Sequence, residues 1–281
     1  MTADVLTRAE LVTRPRSPLR SGRGLVGLVL IGAVVALGLL AAVLAPYGPN
    51  DQIRGANLLG PSSAHLLGTD QVNRDVLSRL LFGIRIDLLM VLIAVPTGAV
   101  IGSAVGVLAT WWSPVDVVAQ RLFDVLLAFP AIILAIAVTA ILGPGLTAVV
   151  VVIVAVEIPV FGRLLRASVL TVRALPFVEA AAAVGAGRWW LLRRHILPNA
   201  LEPVLVQLAL SMSVAVFVES AMSFIGIGVR PPTPSVGNIL ADSLADLEAN
   251  PAFAIGPLSV VVVLILAFQL IAQSLTAHRR R

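Results

Sequence analysis

Three carboxylates interrupt otherwise apolar runs in this chain: Asp124, Glu157 and Glu219. A charged side chain at the centre of a bilayer costs about 2.5–3.5 kcal/mol on insertion scales, so each must face protein or water, where it relays a proton, meets a cation or closes a hydrogen bond. Asp124 has Arg121 three residues earlier on the same helical face, and pairing is the expected state. Glu157 sits beside Pro159, roughly 18 Å into its run by helical rise, and either lines a passage or satisfies a neighbouring polar group. Glu219 is followed by Ser220 and Ser223; a ligand contact and a structural hydrogen bond are equally open to it. No catalytic or metal set accompanies these acids. Cysteine is absent and His65, His195 and His278 are scattered, so no metal site is expected, and no Ser/His/Asp constellation falls within the apolar runs. All twenty basic residues are arginine. Without lysine there is no G-x-x-x-x-G-K-[ST] phosphate loop and no Schiff-base chemistry. Any work done with ATP requires another chain, and no cofactor is expected in this one.

The elements that position these acids are legible from composition. Hydrophobic residues make up 58% of the 281 and charged residues 12%, far from the balance of a soluble domain. Runs of about 20 apolar residues, enough to cross some 30 Å of hydrocarbon as helix, are expected at 24–45, 88–110, 122–142, 146–165, 202–227 and 252–277. Barrel strands alternate in polarity and these runs do not, so the fold class is all-α. The first run exceeds the 7–15 residues of a signal h-region and is expected to be retained as an anchor. Pro96, Pro130 and Pro159 break backbone bonding inside runs, as hinges or as static kinks. No strong internal repeat is present.

Arginine placement gives an expected direction. Five precede the first run, Arg121 follows the second, six lie around the connection between the fourth and fifth, and three end the chain, making fifteen on one side. Arg54, Arg74, Arg79, Arg85 and Arg230 make five on the other. The positive-inside rule then places both termini and the fourth-to-fifth connection in the cytoplasm. The net charge of +5 reflects this loop asymmetry rather than a nucleic-acid surface. The organisation read this way is a cytoplasmic, Arg-rich segment 1–23, a transmembrane domain 24–277 and a basic tail 278–281. Residues 45–87 form a long external connection, in which Val76, Leu77, Leu80, Leu81 and Ile84 fall at helical spacing with Arg74, Asp75, Ser78, Arg79 and Arg85 opposite. That pattern predicts an amphipathic helix on the outer interface or against the spans. Gly143-Pro144-Gly145 reads as a tight external turn.

The connection 166–199 holds a compact unit. Pro176 suits a first helical turn, Glu179 lies near that positive end, and Ala180–Ala183 keep one surface slim. Gly185 and Gly187 are expected to end the helix with positive φ, after which Arg188–Ile196 begins a second helical stretch that Pro198 closes off from the fifth span. A slim helix held at the membrane face suits docking into a partner's groove.

Glu179-Ala180-Ala181, Gly185 and Leu197-Pro198 stand in the register of the EAA loop that bacterial ABC importer permeases carry, which this segment resembles. His195 takes the position of the usual Ile, and Arg194 to Asn199 reads as the peptide-permease branch commonly does. His65–Asp70, Arg74–Leu80, Asp124–Pro130, Leu142–Gly145, Ser223–Val229 and Pro231–Ser235 are similar to the C-type permease of the dipeptide, oligopeptide and nickel branch, so the likeness covers most of residues 64–270. Asn73 departs where Gly is usual and Val236 where Trp is frequent; as positions outside the membrane, they bear on substrate or binding-protein fit. The resemblance implies a type I ABC importer permease fold with six transmembrane helices in the bacterial cell membrane. It implies as partners a homologous second permease, two cytoplasmic ATPases that bind ATP and Mg, an extracytoplasmic solute-binding protein and membrane lipid. Glu179 would orient the docked helix, Ala180 and Ala181 make close contact, Gly185 bend the chain, and Leu197-Pro198 end the loop. Short peptides are the implied cargo, with Glu219 a candidate for their amino group; nickel chelate or haem is the alternative. A proton-driven secondary carrier using Asp124, Glu157 and Glu219 is the competing class, which broken inverted repeats would favour.

Overall fold

The computed structural model describes residues 22–279. The expected N-terminal segment falls almost entirely outside them, as does the end of the basic tail. All regular elements among the described residues are helical, and one isolated bridge joins Thr69 to Asp75. Among the described residues, five helices are long and apolar enough to cross a membrane: α1 (Gly22–Leu39), α3 (Val76–Ala109), α6 (Leu146–Arg173), α10 (Glu202–Phe224) and α12 (Pro251–Arg279). The pair α4 (Ser113–Ala128) and α5 (Ala131–Leu142) is long and apolar enough only when taken together, and it is bent by 96°, the shape of a broken span or of a re-entrant loop. The short α2 (Ala41–Leu44) follows α1.

Two expectations change here. The amphipathic segment after residue 76 is not a separate interfacial helix but the first turns of α3, which runs 34 residues without interruption through Pro96. Its polar side is only partly solvated: Asp75, Ser78 and Arg79 are buried beneath the connection 45–75, while Arg74 is half-buried and Arg85 is exposed. The third span is not one helix from 122 to 142. Its first half begins at Ser113, and Phe129 and Pro130 take extended φ/ψ between the halves, since a residue before proline is pushed out of the helical region.

The core lies between α3 and α6. Val91, Ala94 and Val95 of α3 are fully buried with Val149, Val152 and Phe161 of α6. Close approach is made possible by Gly98, Gly102 and Gly106, four residues apart on one face of α3: a Cβ on Gly102 would lie 2.2 Å from the Ile158 carbonyl oxygen, and one on Gly106 would lie 2.3 Å from that of Gly162. Small residues at this spacing let backbones meet where hydrocarbon supplies no hydrophobic drive between helices. α1 leans on α12 in the same way, Gly27 standing 2.9 Å from the Ala267 carbonyl oxygen by the same measure.

The connection 45–75 is an ordered cap on α3. Asp75 is its N-cap, accepting from the Ser78 N–H at 2.8 Å and the Ser78 hydroxyl at 2.7 Å, while its other oxygen meets His65 Nδ1 at 3.0 Å. Tyr47 stacks on the His65 ring. Asp70 binds Arg74 at 2.7 Å, and buried Arg79 lies between Asp70 at 3.7 Å and Asp242 at 3.9 Å. Burial pushes the Asp242 carboxyl above its ordinary range, and Arg79 pulls it back. Asn73 has φ +65°. Glycine enters that region freely and asparagine is its usual substitute, so the departure at 73 answers a backbone demand rather than a substrate. Asn73→Gly is expected to keep the wild-type melting temperature in detergent, whereas Asn73→Val is expected to cost about 1–2 kcal/mol of stability and lower it.

Candidate functional site

At the end of the bundle where α6 stops, the chain builds the expected slim helix. Leu175 is extended, Pro176 opens α7 (Pro176–Ala183), and Glu179 lies in the first turn. The helix ends in a Schellman motif: the Ala186 N–H donates to the Ala181 carbonyl at 3.2 Å and the Gly185 N–H to that of Ala182 at 3.0 Å. This closure needs φ +91° at Gly185, and its Cβ position faces open space, so the requirement is conformational rather than steric. Gly187 does not share that role; at φ −66° it is extended and caps the next helix. Val178 is the residue of α7 that is buried, Ala181 is half-buried against the core, and Ala180, Ala182 and Ala183 are exposed. Val184 projects at 87% exposure.

The second stretch continues further than expected. α8 (Arg188–Leu191), a π-turn at Leu192–Ile196 and α9 (Leu197–Ala200) follow without a break, so Pro198 sits inside the rod rather than closing it. A proline ring collides with the carbonyl four residues back, and the widened turn just before Pro198 accommodates it. Asn199 Nδ2 bonds the His195 carbonyl at 2.6 Å. Leu197 packs on the core and Pro198 is exposed. Glu179, Ala180, Ala181 and Gly185 thus form one unit, with Leu197 and Pro198 at the far end of the rod. A cavity of about 430 Å³ separates α7 from the bundle, lined by Trp111, Arg173, Val178, Glu179 and Arg188 among others. Glu179 borders that cavity.

The embedded acids occupy three different places. Asp124 is bound by Arg163 of α6, with Arg121 more distant at 3.8 Å. The local pairing expected from spacing is therefore secondary to an interhelical one. A second rung escaped the sequence reading: Arg166 grips Asp116 with two bonds of 2.6 and 2.5 Å. These rungs fasten α4 to α6. Glu157 is buried and accepts from the Ser211 hydroxyl of α10 at 2.6 Å, and Gln207 donates to Ser211 at 3.2 Å. Glu219 is fully buried, accepting from Ser223 at 2.8 Å and Ser220 at 3.3 Å.

Sequence reasoning missed Asp87. Its carboxyl, buried in α3, lies close to that of Glu219 and accepts from the Val236 N–H at 2.9 Å. The Ser223–Val229 motif is the turn leaving α10: the Ser223 hydroxyl accepts from the Val229 N–H at 3.0 Å, and Gly228 lies too close to Ser223 for any side chain. Val236 opens α11 (Val236–Ser243), whose Ser235 and Asn238 form a capping box. Val236 itself is buried, so the departure there is a packing choice and not a surface one.

A helical bundle crossing a membrane several times, with a short capped helix standing off one end, defines the transmembrane subunit fold of type I importers. Solved structures share it: a chain of the MetNI methionine ABC transporter, inward facing, aligns over 72% of this chain and 95% of its own at TM-score 0.55 and 21% identity. A chain of an amino acid ABC transporter with histidines aligns over 73% and 94% at TM-score 0.57 and 19% identity. Residues 95–281 match the family described as binding-protein-dependent transport system inner membrane component, and the chain belongs to that family. Among curated relatives, the dipeptide transport system permease protein DppC of Alkalihalophilus pseudofirmus is 34% identical over 89% of this chain and 83% of its own. The glutathione transport system permease protein GsiD of Pectobacterium atrosepticum is 38% identical over 86% and 81%.

Proposed function

We propose that this chain is one permease subunit of an ATP-driven importer of short peptides. The observation that carries the substrate class is its similarity, across more than four fifths of both chains, to permeases named for dipeptide and glutathione transport. The end bearing α7, with both termini, faces the cytoplasm, as the arginine asymmetry requires. A related permease completes the passage, and an extracytoplasmic binding protein delivers the peptide. Two ATPases bind ATP and Mg and seat against the exposed alanines of α7. Closure of the ATPase pair pushes α7, which has few anchors of its own, and the rod of α8, the π-turn and α9 carries that displacement to α10. Asp124, Glu157 and Glu219 are candidates for the pathway, and Glu179, Ala180, Ala181, Gly185, Leu197 and Pro198 for coupling.

The test is uptake of a radiolabelled dipeptide by proteoliposomes holding the complete importer. ATP on the ATPase side and the binding protein on the other are both expected to be necessary. Uptake sustained by a proton gradient without ATP would replace this reading with a secondary carrier.

A further inference from the structure

The cavity behind α7 has a chemistry that the transport cycle does not use. Its floor is apolar, from Val169, Val178, Leu191 and Ile196, and two guanidinium groups, Arg173 and Arg188, border it. Neither has a carboxylate within ion-pair distance among the described residues; Arg188 instead lies over the Trp111 ring at 5.8 Å. Glu179 contributes one negative charge to the lining, but Arg193 and Arg194 on the adjoining π-turn are also exposed and have no acid partner there, which leaves the region positive.

Trp111 also meets Trp189 edge-on at 5.8 Å. All four tryptophans of the chain lie here, in the pairs Trp111-Trp112 and Trp189-Trp190, and Trp112, Trp189 and Trp190 are more than half exposed. Tryptophan concentrates at the depth of lipid headgroups, and basic pockets between helices at that depth take anionic ones.

We propose that this cavity binds the phosphodiester headgroup of an anionic phospholipid, with Arg173 and Arg188 as its phosphate contacts and Trp111 as its wall. Glu179 disfavours a second negative charge on its own side and so sets the headgroup's orientation. The lipid sits between α7 and the bundle, where Ala182 lines the cavity, leaving Ala180 and Ala183 free, and its occupancy supports the helix from behind. The inference stands apart from peptide transport, because binding is read without substrate, ATP or partner chains.

The clustering of the tryptophans supplies the probe. The full-length chain in nanodiscs is titrated with phosphatidylglycerol carrying brominated acyl chains, or with brominated phosphatidylcholine, and tryptophan quenching is followed. Half-maximal quenching is expected at a mole fraction about 25-fold lower for phosphatidylglycerol, on the scale of two arginines each worth about fivefold. In Arg173→Gln/Arg188→Gln this preference is expected to vanish while quenching by phosphatidylcholine stays as in the wild type, which shows that the fold is kept. Should the double variant not fold, the wild-type chain suffices: unbrominated phosphatidylglycerol must restore fluorescence where phosphatidylcholine does not. Equal quenching by both lipids, or a preference that survives the double substitution, would overturn the proposal. So would restoration by millimolar inorganic phosphate, which would identify a site for free anions instead.

Discussion

Gly185→Val is expected to reduce ATP-driven uptake about tenfold or more while leaving the amount of membrane-inserted protein unchanged. The left-handed conformation at Gly185 costs an ordinary residue roughly 1–2 kcal/mol, and a β-branched one more. Since about 1.4 kcal/mol is tenfold in population, the Schellman closure is lost in most molecules. α7 has only eight residues, too few for a helix to hold itself in water, and its single buried side chain is Val178. The cap and Pro176 therefore define where it points. Nothing occupies the space around the Gly185 Cβ, so the membrane core feels no steric load. Gly185→Asn is the discriminating control, because asparagine tolerates the same φ and should keep most of the uptake. The measurement is dipeptide uptake at matched protein level, together with the quantity of ATPase that co-purifies. Wild-type uptake by the valine variant would show that the geometry of this cap does not transmit the motion.

Much of this architecture was legible because hydrocarbon imposes simple demands. Apolar runs of sufficient length give the crossings, and Pro176 and Gly185 mark the ends of α7 by local backbone chemistry that neighbours do not override. What the sequence concealed depends on partners far along the chain. Asp87 stood just outside an expected span that began at Leu88, and its neighbours, Glu219 and the Val236 N–H, come from α10 and from the first residue of α11. Asp124 has a plausible local partner in Arg121, yet Arg163, 39 residues later, takes it because α4 crosses α6 at that level. Arg79 followed the polar face of an amphipathic pattern, but it is buried between Asp70 of the cap and Asp242, while Arg85 on the same face stays exposed. Periodicity shows where polarity changes along a helix; it does not show whether water or another part of the chain covers the polar side.

Gly102→Leu is expected to abolish the folded, monodisperse state. On α3 the Gly102 Cβ position lies 2.2 Å from a backbone oxygen of α6, and neither a rotamer change nor a flexible side chain can relieve a clash with backbone. The two helices would have to separate along their whole contact, because one turn to either side the Gly106 Cβ position lies 2.3 Å from the Gly162 carbonyl oxygen and that of Gly98 lies 2.6 Å from the Glu157 Cβ and 3.2 Å from the Val154 carbonyl oxygen. Separation also removes the Gly162 surface on which Phe123 of α4 rests, at 2.5 Å from the Gly162 Cβ position, so α4 loosens with the core. Overpacking of this kind costs about 1–3 kcal/mol when the surroundings can yield, and here they are main chain. Gly102→Ala introduces the Cβ alone and is expected to lower the melting temperature without preventing assembly. Gly32→Leu on α1, where nothing lies within 4 Å, controls for added hydrophobic bulk and should be neutral. Size-exclusion profiles and thermal melts of the three variants in one detergent decide the matter. If Gly102→Leu melts as Gly32→Leu does, α3 and α6 are not in backbone contact and the core does not lie between them.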